Sequence, residues 1–80
     1  MDNKVAVVAV VISNADSVSK VNEVFHLYAN FVLGRLGIPH RERGVFVISV
    51  VLDAPQDVLS GLSGKLGMID GVTAKVLITK

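Results

Sequence analysis

Two runs of the chain are apolar without interruption or nearly so. Residues 5–12 read Val-Ala-Val-Val-Ala-Val-Val-Ile, and residues 45–52 are broken only by Ser49. Such β-branched runs have the pattern of strands whose two faces are both out of water. Between them Val18, Val21, Val24, Phe25, Tyr28, Phe31 and Val32 recur at three- and four-residue spacing. This spacing predicts one helix reaching about Leu33, with Ser19, Asn22, Glu23, His26 and Asn30 on its wet face. Residues 13–17, Ser-Asn-Ala-Asp-Ser, supply its start, with Ser13 and Asp16 at capping-box spacing.

Residues 35–41 are interrupted by Gly37 and Pro39, which predicts a short, irregular edge strand, since proline cannot donate to a central ladder. Glu42-Arg43-Gly44 then turns the chain into the second apolar run. Asp53, Pro55 and Gln56 mark the start of another helix, with Asp53 as cap and Pro55 in the first turn. Val58, Leu59, Leu62 and Leu66 form its apolar stripe, Gly61 and Gly64 fall on the outer side, and Gly67 ends it. After Asp70-Gly71, the residues Val72, Ala74, Val76 and Ile78 alternate mainly with Thr and Lys, as in an edge strand wet on one side. The order is strand, helix, strand, strand, helix, strand. It predicts an α+β, ferredoxin-like βαββαβ fold: a four-stranded antiparallel sheet with two helices on one face and the apolar runs as central strands. Residues 1–80 are expected to form a single domain.

Composition extends this picture. Hydrophobic residues make up 51% of the chain and charged ones 19%, more apolar material than so small a body can cover by itself. Helices on one face leave the other face of both central strands bare, so the chain is expected to form a homodimer or homotetramer through its sheet. The absence of cysteine removes disulfides, thiol catalysis and iron-sulfur ligation. A net charge of +1 lacks the broad basic footprint of a nucleic-acid binder, so no direct nucleic-acid contact is expected. No run reaches the roughly eighteen apolar residues of a membrane span, and the run after Lys4 lacks a convincing cleavage site. A cytoplasmic protein with no membrane association is the expectation.

All the arginines lie between Gly34 and Gly44, at positions 35, 41 and 43. Gly34, Arg35, Gly37, His40, Arg41 and Arg43 are therefore the candidate ligand or partner site. Glycines there allow a bend and a close backbone approach, and the arginine fork suits carboxylates and phosphates. The expected occupant is a small anionic ligand or an acidic patch on a protein partner. The same residues also fit a solvated hairpin whose charges guard a sheet edge. His26 has Glu23 as its acidic neighbour and His40 has Glu42, too few ligands for a closed metal site within one chain. A histidine shared between subunits stays open. No metal or cofactor is expected. Gly61, Gly64 and Lys65 imitate a phosphate loop, but Leu66 stands where it needs Ser or Thr. Without a nucleophile elbow or paired-acid motif, the chain is expected not to be an enzyme.

Several stretches carry a resemblance over nearly the whole chain: Tyr28, the segment Gly-Arg-Leu-Gly-Ile-Pro-His-Arg-Glu-Arg-Gly at 34–44, Val47-Ile48-Ser49, Leu-Ser-Gly-Lys-Leu-Gly-Met at 62–68, and Gly71-Val72. Through them the chain resembles a small family of ACT-like proteins named putative iron-only hydrogenase system regulators. The resemblance implies a regulatory role beside hydrogenase genes and brings no established ligand or catalytic residue. The layout also resembles the effector domain of nickel-responsive repressors, which assembles through its sheets. Its histidine pair would fall within residues 45–52, which hold no histidine, and its cysteine is missing, so those ligands do not transfer. Nor does the Pro-Gly of amino-acid-binding ACT domains, since residues 14–17 read Asn-Ala-Asp-Ser. The repressors' ribbon-helix-helix arm is absent as well, so an effect on transcription would act through a partner protein.

Overall fold

Strict alternation decides which side of each strand is dry. In the computed structural model, which describes residues 2–79, strand β1 (Asn3–Ile12) buries Ala6, Val8, Val10 and Ile12 while Val5, Val7, Ala9 and Val11 stay exposed. Strand β3 (Val45–Pro55) buries Ile48, Val50, Leu52 and Ala54 toward the same side. Helix α1 (Val18–Leu27) brings Val21 and Phe25 to this face, and helix α2 (Gln56–Gly67) brings Leu59, Leu62 and Leu66. Strands β2 (Val32–His40) and β4 (Val72–Ile78) complete an antiparallel sheet in the order β2-β3-β1-β4. This is the predicted ferredoxin-like arrangement, with the two apolar runs at the centre and one core between helices and sheet.

The first helix is shorter than its periodicity predicts. It ends at Leu27, where Tyr28 takes φ −105° and ψ 18°, and a 3-10 turn over Ala29–Phe31 follows. Phe31 and Val32 still pack on the core, but from the turn and from the first position of β2. Side chains spaced for one helical face can equally be delivered by a turn and a strand, so the pattern alone does not separate the two. The strand predicted over residues 35–41 accordingly runs from Val32 to His40. A register shift between Val32 and Gly34 leaves Leu33 as a bulge residue. Arg41–Arg43 form a 3-10 turn that closes on Gly44 at φ 64°.

The helix caps differ too. Asp53 does not cap α2: it lies within β3 opposite Val5, and Pro55 occupies the N-cap position. Instead of building a capping box, Ser13 and Ser17 reach across to the α2–β4 loop. Ser13 Oγ donates to the Gly71 carbonyl at 3.1 Å and Ser17 Oγ to the Asp70 carbonyl at 2.6 Å. The turn itself is capped by Asn14 Oδ1, which accepts from the Asp16 N–H at 3.1 Å. Gly71, at φ 72°, sits so close that a Cβ there would lie 2.6 Å from Asn14 Cβ. Gly61 is not turned outward as predicted, since a Cβ on it would lie 3.3 Å from the Tyr28 hydroxyl; Gly64 faces open space.

Candidate functional site

Strand β2 carries most of the candidate residues, and its pairing with β3 sorts them by face. Gly34, Leu36, Ile38 and His40 lie opposite Val51, Ser49, Val47 and Val45, on the side of the sheet away from the helices. Arg35, Gly37 and Pro39 lie opposite Val50, Ile48 and Phe46, on the helix side. Arg35 turns toward α1, where its Nη2 donates to Asn22 Oδ1 at 2.7 Å and its Cζ stands 5.4 Å from the centre of the Phe25 ring. Gly37 gives room to Phe46, whose ring edge would lie 3.2 Å from an added Cβ. At the far end of β2, His40 and Arg41 border an apolar recess of about 200 Å³ floored by Ile12, Val18 and Phe46.

The six predicted residues therefore do not form one cluster. Five strand steps separate Arg35 from His40, roughly 17 Å at the usual rise. Arg35 belongs to the surroundings of α1, His40 and Arg41 to the recess, and Arg43 to the exposed 3-10 turn. Beside Arg35 a second recess of about 260 Å³ is lined by Asn22, Phe25, His26, Ala29 and Val32. Asn22 was legible only as a wet-face residue of α1, and no motif marks it as the arginine's partner. Among the described residues no group of three or more His, Asp or Glu side chains is placed to hold a metal ion. Nor is any helix among them long and apolar enough to cross a membrane.

The larger feature is the bare side of the sheet. Reading across the strands, Val7 stands between Val51 and Leu77, Val11 between Val47 and Thr73, and Ala9 between Ser49 and Lys75. Leu36 and Ile38 extend these rows onto β2. The exposed fractions are 36% for Val7, 40% for Val11, 51% for Ile38, 60% for Leu36 and 72% for Leu77. Polar groups interrupt this face at Ser49 in the middle of β3, at Thr73 and Lys75 on the edge strand β4, at His40 at the end of β2 and at Asp53 near the end of β3. A sheet four strands wide and about seven residues long presents a footprint of roughly 450 Å² at standard strand spacing and rise. Even with Ser49, Thr73 and Lys75 taken out, the apolar part of this face is of the order of the few-hundred-Å² apolar patches on monomers that are often functional.

Comparison with known proteins places this geometry in a family. Residues 4–76 match the family model described as "TM1266-like: Iron-only hydrogenase system regulator, putative". The chain is similar to the solved structure of the uncharacterized protein TM1266 from Thermotoga maritima, with 32% identity and a TM-score of 0.94 over 99% of this chain and 100% of that one. The fold is shared with the ACT domain from GTP pyrophosphokinase of Chlorobium tepidum, at 19% identity and a TM-score of 0.72 over 94% of this chain and 99% of that one. It is also found in a formyltetrahydrofolate deformylase from Pseudomonas putida KT2440, at 14% identity and a TM-score of 0.66 over 91% of this chain and 28% of that one. Comparison with curated proteins returned no match. The chain belongs to the TM1266-like family, whose model carries the description "Iron-only hydrogenase system regulator, putative", and it is built on an ACT-like ferredoxin fold.

Proposed function

We propose that the protein is a non-enzymatic regulatory module of an iron-only hydrogenase system, working as a homo-oligomer closed through the bare side of its sheet and acting through a protein partner. The observation that carries this reading is the apolar face formed by Val7, Val11, Val47, Val51, Leu36, Ile38 and Leu77. Two copies laid face to face would remove roughly twice its footprint, close to the ≈1,000 Å² that specific interfaces clear. A second copy fits it because a two-fold axis lays the rows around Val7 and Val11 against their own counterparts, with Ser49 between those rows, while Lys75 on an edge strand and Asp53 near the end of β3 give the face charges of both signs. The family supplies the regulatory context.

The His40 and Arg41 end supports a sensing role for the same module. There an apolar recess meets a guanidinium, the pairing that a small molecule with an apolar body and a carboxylate or phosphate would use. A thermal-shift screen with amino acids, nucleotides, simple anions and divalent metals tests this, because a ligand bound only to the folded chain raises its melting temperature by mass action. A saturable rise that is lost in Arg41→Gln supports sensing at this end. A flat response across the screen would leave the module as an oligomerisation protein alone.

A further inference from the structure

The recess between α1 and the β2 edge is separate from both the sheet face and the His40 end. We propose that it binds a small oxyanion, the phosphate or carboxylate group of a small molecule, gripped by Arg35 with Asn22 and His26 as additional donors. This inference does not depend on the regulatory reading.

Three observations carry it. First, the Arg35 guanidinium is held before any ligand arrives. Its Nη2 is hydrogen-bonded to Asn22 Oδ1 at 2.7 Å, and its Cζ lies 5.4 Å from the Phe25 ring centre. A guanidinium has five N–H donors, so one bond to Asn22 leaves enough for a two-point grip on an oxyanion. Holding it in place beforehand reduces the ordering entropy lost on binding.

Second, the neighbours are donors. Asn22 accepts from Arg35 through Oδ1, which leaves its amide NH2 to donate. His26, one helical turn further along α1, lines the same recess. No Asp or Glu is among the lining residues. Glu23 stands with His26 on the adjoining outer surface of α1 and is not part of the recess.

Third, the size fits. At about 260 Å³ the space is smaller than the roughly 300–1,000 Å³ of drug-sized pockets, which suits an oxyanion on a short body.

The two histidines make the test direct. His26 lines the recess and His40 lies at the other end of β2, so their ring-proton NMR signals report the two ends of the strand separately. The full chain is titrated with sodium phosphate, and separately with sodium acetate, at fixed pH and with ionic strength held constant by sodium chloride. The expected result is a saturable shift of the His26 signal for at least one of the two anions, retained in Arg41→Gln, so that binding at the other end of β2 is told apart from binding here. Which anion responds distinguishes a phosphate from a carboxylate site. Asn22→Asp keeps an acceptor for Arg35 while placing a competing carboxylate on it, and should weaken binding about tenfold or more in a folded chain. Arg35→Gln should do the same. No saturable His26 shift with either anion, a His26 shift that disappears in Arg41→Gln, or undiminished binding in Asn22→Asp would overturn the proposal.

Discussion

Arg35 on the edge strand donates from Nη2 to Asn22 Oδ1 on α1 at 2.7 Å, with the Phe25 ring beneath its guanidinium. The contact joins the outermost strand to a helix on the core side of the sheet, and it separates Arg35 from the two arginines nearest it in sequence. Because the pair is exposed, its worth is modest. Arg35→Ala should lower unfolding free energy by about 1 kcal/mol, combining a partly screened charged hydrogen bond with an exposed cation–π contact. A double-mutant cycle with Asn22→Ala, read by urea denaturation, should show a coupling of a few tenths of a kcal/mol or more. Additive losses would mean that the two side chains do not act together.

Gly71 and Gly44 both have positive φ, at 72° and 64°, but their surroundings differ. Around Gly44 an added Cβ meets nothing within 4 Å, so Gly44→Ala should cost only the left-handed backbone penalty, about 1–2 kcal/mol. At Gly71 the Cβ would lie 2.6 Å from Asn14 Cβ and 3.1 Å from the Asn14 backbone nitrogen. Gly71→Ala should therefore cost at least about 1 kcal/mol more than Gly44→Ala and loosen the bonds of Ser13 and Ser17 to the α2–β4 loop. Chemical denaturation of the two variants side by side decides it.

The α2 glycines give a prediction of the opposite sign. Gly64 has open space where a Cβ would go, so Gly64→Ala should stabilise the chain by about 0.5–1 kcal/mol through helix propensity alone. Gly61→Ala should gain less, because the Tyr28 hydroxyl, 3.3 Å from the new methyl position, must give way. Thermal melts should rank Gly64→Ala above Gly61→Ala, and the reverse order would show that Tyr28 does not restrict Gly61.

Much of the fold was legible because alternation and β-branching speak directly about burial. Residues 5–12 and 45–52 are apolar on both faces, and they are the two central strands. The end of the first helix was not legible, since Tyr28, Phe31 and Val32 face the core whether they come from a helix or from a turn and strand. The sequence-adjacent arginines suggested one site, but period-two geometry sends Arg35 and His40 to opposite faces of the sheet and to opposite ends of β2. The Arg35 partner was hidden for a related reason. Asn22 lies thirteen positions away, and only the crossing of α1 over β2 brings them together.

Val47 lies in the middle of the bare face, paired with both Val11 and Ile38. Replacing it by Lys should leave the helix-side core intact while placing a charge where a second sheet would pack. An unpaired charge buried in such an interface costs several kcal/mol, so Val47→Lys should be monomeric, with near-native far-ultraviolet circular dichroism. A variant that stays assembled would place the interface elsewhere.

Whether another copy of the chain covers this face is read from sedimentation of the unmodified protein at micromolar concentration. A covered face gives a discrete species of two or four 8.5 kDa chains, persisting at 0.5 M salt because the contact is apolar. A single 8.5 kDa species across the micromolar range would contradict it.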